Sequence, residues 1–226
     1  MNSRNEQEGA KNGQEAALNN KQANTPNNEQ SPRLWPKNKV ISAIAELFPP
    51  RYKSLTPNVE YFEKLRSGKS ILLTGQVGTG KTRILLETLL AFFVYKMSPI
   101  IEDDIRAIDK KIIEHVRRHF ITTADALRKI KDEYDYAPES GGIVKFMMNT
   151  EMLFLDDLGA EKSTDWVKEQ LYIVINERYN WLKPTLITTN LTIGEIAKNY
   201  GDRFASRLVE MCEIIKITGD DRRINK

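Results

Sequence analysis

Cysteine is nearly missing from this sequence: Cys212 is the only one among 226 residues. A single thiol excludes an internal disulfide and a cysteine-based zinc site. Histidine is almost as scarce, with only His115 and His119, so a mixed zinc cluster is not expected either. Cys212 lies in an apolar stretch and reads as a small core residue rather than a nucleophile. No run approaches the ~18 apolar residues that a membrane span requires, and the N-terminus has no signal-peptide core. These absences make a cytoplasmic protein the expectation. Large apolar side chains are almost absent from residues 1–32, which are rich in Asn, Gln, Glu, Ser and Gly. Such a segment buries too little surface to offset its ordering entropy, so it is expected to be disordered. It is either a solvated tail or the carrier of a short binding motif. The net charge of +3 is too small by itself to argue for nucleic acid.

What remains is ordinary for a soluble globular protein, with 40% hydrophobic and 29% charged residues. The length supports one domain with a tail. The organisation expected is a polar tail at 1–32, a short helix (38–47) and linker within 33–69, and a domain at 70–226.

Gly75-Gln76-Val77-Gly78-Thr79-Gly80-Lys81-Thr82 has the pattern of a phosphate-binding loop. It follows the apolar run Ile71-Leu72-Leu73 and opens an apolar segment from Ile84 to Val94, so it stands between a strand and a helix. Glycines let the backbone turn its N–H groups around phosphate oxygens. The helix adds its positive N-terminal end. Lys81 supplies a charge for the β- and γ-phosphates, and Thr82 a hydroxyl for Mg²⁺. ATP with Mg²⁺ is the ligand expected.

Further along, strands and helices alternate. The helix Lys81–Tyr95 is apolar nearly all round, as a helix buried between a sheet and another layer would be. Ser98-Pro99 is expected to break it. An isoleucine stripe at helical spacing predicts a helix over 101–119. Phe120–Thr122 reads as a strand, followed by a helix at 124–134 capped by Thr123. Met152–Leu155 reads as a buried strand running into Asp156-Asp157. A helix carrying Val167, Leu171, Val174 and Ile175 follows, then a strand at Thr185–Thr188. Thr192-Ile193-Gly194-Glu195 is a capping box that starts a helix ended by Gly201. A helix at 202–211 and a strand at 214–217 complete the pattern. Strand–helix alternation predicts an α/β fold, a parallel sheet with helices on both faces.

Hydrolysis needs more than a phosphate loop. Asp156, at the end of a buried strand, is placed to hold Mg²⁺ through water, and Asp157 to orient or deprotonate the attacking water. Asn190 ends a third strand, where an amide can bond both the γ-phosphate and that water. Arg203 and Arg207 are four apart on one helix and share a face. One of them can serve as an arginine finger, within the chain or from a neighbour, or both are surface arginines. Arg222 and Arg223 follow the last strand and equally suit a solvated basic tail.

Together these residues resemble the AAA+ ATPases of the DnaC/IstB family, which are helicase loaders and transposition helper ATPases. The resemblance runs from about Phe48 to Arg223. Gly75–Thr82 is similar to the Walker A motif of that family, and Leu153–Glu161 to its Walker B motif with the extension Asp-Asp-Leu-Gly-Ala-Glu. Asn176–Tyr179 resembles the string ending the next helix. Pro184–Leu191 resembles the sensor-1 strand, with Asn190 as the sensor. Gly201–Leu208 resembles Box VII, which implies Arg207 as a finger acting in trans with Arg203 beside it. Gly219–Arg223 matches the final motif more weakly and implies Arg223 as the sensor-2 arginine. The implied fold is the P-loop AAA+ three-layer fold without a separate C-terminal lid domain. The implied function is an ATP-dependent loader that assembles with copies of itself on single-stranded DNA and delivers a DnaB-type hexameric helicase. A transposition helper and an ATP-switched binding module with little turnover are the alternatives. The sequence departs from the family in its short, cysteine-free N-terminal region, where loaders carry a larger docking domain.

Between Ile105 and Lys131, lysine and arginine outnumber aspartate and glutamate. Arg128, Lys129 and Lys131, with Tyr134 close behind to stack on bases, are the candidate DNA contacts. A solvated helix face is the other reading of the same charges.

Overall fold

Five short runs of the sequence become parallel strands in a computed structural model of the chain. The structure describes residues 41, 42, 45, 48, 50–52, 54–101, 118–136 and 142–221, all within one compact unit spanning 35–226. The polar tail at 1–32, most of the isoleucine-striped helix at 101–119, and Arg222 and Arg223 lie outside the described residues. Of the helix expected at 38–47, positions 41, 42 and 45 are described, and all three are helical.

In chain order the elements are α1 (Val59–Arg66), β1 (Ser70–Thr74), α2 (Lys81–Ile101), β2 (Phe120–Thr122), α3 (Thr123–Tyr136), α4 (Gly142–Asn149), β3 (Leu153–Leu158), α5 (Asp165–Asn180), β4 (Thr185–Thr189), α6 (Ile193–Tyr200), α7 (Asp202–Met211) and β5 (Cys212–Lys216). The sheet order is β2-β3-β4-β1-β5, and every pairing is parallel. Successive strand residues point to opposite faces, and the two cores follow that alternation. Ile71, Leu73, Phe154 and Leu186 pack on one face with α1 and α2. Leu72, Leu153, Leu155 and Ile187 pack on the other with α3 to α7. Because all strands run the same way, the loops after β1, β3 and β4 meet at one edge of the sheet. That edge is where open α/β sheets bind ligands.

Several expectations need correction. The helix opened by the glycine loop does not break at Ser98-Pro99; α2 continues to Ile101. Proline removes one backbone donor, and here it does so only in the last turn of a helix whose stretch Leu89–Val94 is entirely buried. The cap of α3 is Thr122, whose hydroxyl accepts from the Asp125 amide at 3.1 Å. Thr123 instead donates its hydroxyl to the Asp156 carbonyl at 3.2 Å. The stretch expected as linker before β1 holds α1, which places Phe62 and Leu65 fully in the core. Helix α4 was not anticipated at all. The last strand begins at Cys212, which is buried as expected of a core residue. Among the described residues no helix is long and apolar enough to cross a membrane.

Candidate nucleotide-binding site

The glycine loop leaves β1 at Thr74 and enters α2 at Lys81, so its curvature is set by the strand on one side and the helix on the other. Gly75 and Gly78 both have positive φ. A Cβ at Gly75 would run into the Ile217 carbonyl, and one at Gly78 into the Asp221 carboxylate. The backbone carbonyl leaves no room for a side chain at Gly75, and the left-handed φ favours glycine at Gly78; the segment after β5 thus lies against the loop. The buried Lys81 ammonium donates to the carbonyls of Gly75 (2.7 Å) and Gln76 (2.8 Å) and to Asn190 Oδ1 (2.7 Å). Its charge is held across the loop.

The aspartates sit at a bulge. Leu155 pairs with Ile187, but Leu158 pairs with Thr189, so β3 carries one extra residue against β4. Asp157 absorbs it with φ of 62°, a left-handed conformation that Asp tolerates better than most residues. A bulge re-aims side chains next to it. Here it leaves Asp156 buried and Asp157 half-exposed beside Asn190. Asp156 Oδ1 accepts from the hydroxyls of Thr188 (2.6 Å) and Thr82 (3.1 Å). The Asp157 amide donates to the Thr188 hydroxyl at 2.9 Å. Asn190 Nδ2 donates to Asp157 Oδ1 at 3.3 Å. Two short chains of hydrogen bonds result, Lys81–Asn190–Asp157 and Thr82–Asp156–Thr188, joined at the Asp157 amide. Burial raises the Asp156 pKa above the ordinary carboxylate value, while the Thr188 and Thr82 hydroxyls pull it back down.

Sequence reasoning thus places five of its candidates, Lys81, Thr82, Asp156, Asp157 and Asn190, in one connected cluster. It missed Thr188, which orients both aspartates; its position two residues before Asn190 on the same strand was the available signal. It also missed Arg51, whose charge lowers the Asp156 pKa, and Glu161, which accepts from Tyr200 and ties the turn after β3 to α6. Arg203 and Arg207 are not in the cluster. Arg203 is exposed on α7, and Arg207 bonds Asn176 of α5. Lys129 and Lys131 are exposed on α3. Arg128 on the same helix lies near Asp125 (3.6 Å) and Asp132 (3.3 Å), so part of the basic excess is neutralised locally. The Tyr134 side chain lies outside the described residues.

A family model described as IstB-like ATP binding protein matches residues 107–226, more than half of the chain. The chain belongs to the DnaC/IstB family of AAA+ ATPases. A solved structure described as the DnaC helicase loader covers 75% of this family member at 26% identity and a TM-score of 0.57, and is itself covered in full. DnaA from Aquifex aeolicus bound to AMPPCP, at 18% identity and a TM-score of 0.52, covers 71% of the chain and is covered over 45% of its own. That likeness shows the shared fold, the P-loop AAA+ three-layer fold. Among curated proteins of Bacillus subtilis (strain 168), YqaM is 27% identical over 87% of this chain and 59% of its own length. The replicative helicase loader DnaI is 21% identical over 76% of this chain and 53% of its own. The chain therefore spans a little over half the length of these two relatives. Nucleotide binding is what membership in this ATP-binding family entails, and the matched residues include the aspartates and Asn190.

Proposed function

We propose that this chain is a cytoplasmic helicase loader that hydrolyses ATP, assembles on single-stranded DNA and delivers a DnaB-type replicative helicase. The observation that supports the loader reading most directly is the likeness to the DnaC helicase loader over the whole of that chain. The clustered Lys81, Asp156, Asp157 and Asn190 support hydrolysis.

In this reading the backbone N–H groups of Gly75–Thr82 and the start of α2 cradle the phosphates of ATP. Lys81 exchanges its two loop carbonyls for the β- and γ-phosphate oxygens. The Thr82 hydroxyl and the Asp156 carboxylate are hard oxygen donors, the kind Mg²⁺ takes alongside water and phosphate. They fit that ion, and among the described residues no cluster of His, Cys, Asp or Glu could hold a metal alone. When bound, Mg²⁺ would neutralise charge on the phosphates. Thr188 keeps the Asp156 carboxylate turned toward Thr82. Asp157 orients or deprotonates the attacking water, and Asn190 holds that carboxylate in place while its amide faces the γ-phosphate. Arg207 of a neighbouring copy, with Arg203 beside it, completes each site, and Arg223 acts as the sensor-2 arginine. Arg128, Lys129, Lys131 and Tyr134 contact the DNA.

A second reading, an IstB-like helper ATPase for transposition, is favoured by the family description. The two readings separate in a pull-down with ATP present. Capture of a DnaB-type hexameric helicase supports the loader, whereas capture of a transposase in its place would overturn it. The catalytic assignment is tested by Asp157→Asn. Loss of a positioned general base lowers kcat by about 100-fold or more, with ATP affinity retained. Equal rates for Asp157→Asn and wild type, with and without single-stranded DNA, would remove Asp157 from the reaction, and rates near zero for both would favour a switch with little turnover.

A further inference from the structure

Arg207 does not face its own loop. It projects from α7 onto α5, where Tyr172, Asn176 and Tyr179 lie four and three residues apart and so share one helix face. Its Nε donates to Asn176 Oδ1 at 2.6 Å. The guanidinium carbon lies 5.2 Å from the Tyr172 ring centroid and 5.3 Å from that of Tyr179, within cation–π range of both. Tyr179 is in turn hydrogen-bonded to Glu210, one helical turn further along α7. Among the described residues Arg207 has no ion pair with a carboxylate, and its one hydrogen bond is from Nε. The partners that hold it are neutral: an amide and two aromatic faces.

That arrangement does two things at once. Anchoring Nε and stacking the plane removes most of the rotamers that a long arginine side chain samples. Choosing neutral partners leaves the guanidinium with no carboxylate bonded to it among the described residues, the nearby Glu210 being taken by Tyr179, and leaves the two terminal nitrogens available to an outside anion. An arginine that served only to fasten α7 to α5 would gain more from a carboxylate. Arg207 is half-buried, held in direction yet still reachable.

We propose that Tyr172, Asn176 and Tyr179 form a cradle that positions the Arg207 guanidinium for the phosphate bound by a neighbouring copy. The three are positioning residues: they touch the arginine, and the arginine touches the nucleotide. This rests on the shared-site reading given above, and the test keeps the two apart. Arg207→Ala is measured first. If it leaves DNA-stimulated kcat unchanged, the shared-site reading fails before the cradle is reached, and the cradle has no role to play.

If Arg207→Ala lowers kcat, the cradle is tested by Asn176→Ala, which removes only the anchoring bond, and by Tyr172→Leu, which removes one ring face. Each is expected to lower kcat about tenfold, the order of one hydrogen bond to a charged group for Asn176 and of one cation–π contact for Tyr172, with the KM for ATP and the affinity for a fluorescent ATP analogue within twofold of wild type. Tyr172→Phe keeps the ring and is expected to retain the rate. A purely structural role would move kcat, nucleotide affinity and melting temperature together. The cradle is overturned if nucleotide affinity falls as far as kcat, if kcat is unchanged in both variants, or if Tyr172→Phe is as slow as Tyr172→Leu.

Discussion

Asp156 shows what a single side chain costs the fold in order to be ready for a ligand. Its carboxylate is buried with two hydroxyl donors and, among the described residues, no cation bonded to it. Burial raises its pKa, so the folded state binds more protons than the unfolded state between the ordinary carboxylate value and the raised one. Stability from this group therefore falls as pH rises through that window, and the full penalty remains at neutral pH. Asp156→Asn removes the charge while its amide oxygen can still accept from Thr188 and Thr82. The nucleotide-free variant is expected to melt higher than wild type at pH 7, with the difference shrinking as pH falls through the carboxylate range. The same variant is expected to lose the extra stabilisation that ATP with Mg²⁺ gives wild type. Melting curves at several pH values, with and without nucleotide, check both. A variant that melts lower than wild type at pH 7 would mean that the hydrogen bonds outweigh the burial of charge. Arg178 is the contrasting case. It is fully buried, its pKa is drawn down to about 9 by that burial, and it stays charged at neutral pH. Its donors reach Thr185 and the carbonyls of Met147, Thr150 and Pro184, so it fastens α4 and α5 to the start of β4.

At the scale of elements, the end of α5 carries a local conflict. The Leu182 amide donates to Tyr179 O and the Lys183 amide to Arg178 O, the pattern that closes a helix with a left-handed residue. Glycine is the usual occupant. Here Leu182 takes it, with φ of 49° and 79% of its surface exposed. Leu182→Gly is expected to stabilise the protein by about 0.5–1 kcal/mol, since relief of the left-handed strain exceeds the added freedom of the unfolded chain. Denaturant unfolding measures it, and a loss of stability would mean that the side chain packs on something in the folded state. This helix end was not legible because its residue contradicts its conformation. The opposite holds for α6, whose capping box is realised as read, Thr192 and Glu195 bonding each other's backbone amides. The glycine loop, α7 and the strand bearing Asp156-Asp157 were legible for the same reason: local chemistry and local geometry agree there. Helix α4 was not, because Gly141 and Gly142 offer no capping side chain in the sequence at its start, and the Ile143 amide is met by Glu133 from α3 instead of a local cap. The bulge at Asp157 also escaped notice, since a register shift is decided by the partner strand and not by the residues within it.

At the scale of the whole molecule, the two halves of the proposed chemistry are set apart. The glycine loop, the aspartates and Asn190 gather at the strand ends, while Arg207 is held by α5 through partners outside that cluster. A chain that carries a phosphate site on one surface and an aimed cation on another is suited to a head-to-tail assembly, in which each interface completes one site. This has a consequence that no single-chain mechanism shares. Lys81→Ala spoils the loop but leaves a sound Arg207, and Arg207→Ala does the reverse. Each protein alone is expected to be inactive. In an equal mixture, the sites of Arg207→Ala copies that receive Arg207 from a Lys81→Ala neighbour are whole, about one site in four for random head-to-tail mixing. ATPase activity is therefore expected to return on mixing, to rise with total protein concentration, and to be absent when both substitutions are placed in the same chain and mixed with themselves. If the mixture of single variants stays as inactive as its components under conditions where wild type assembles, then Arg207 acts within its own chain or not at all.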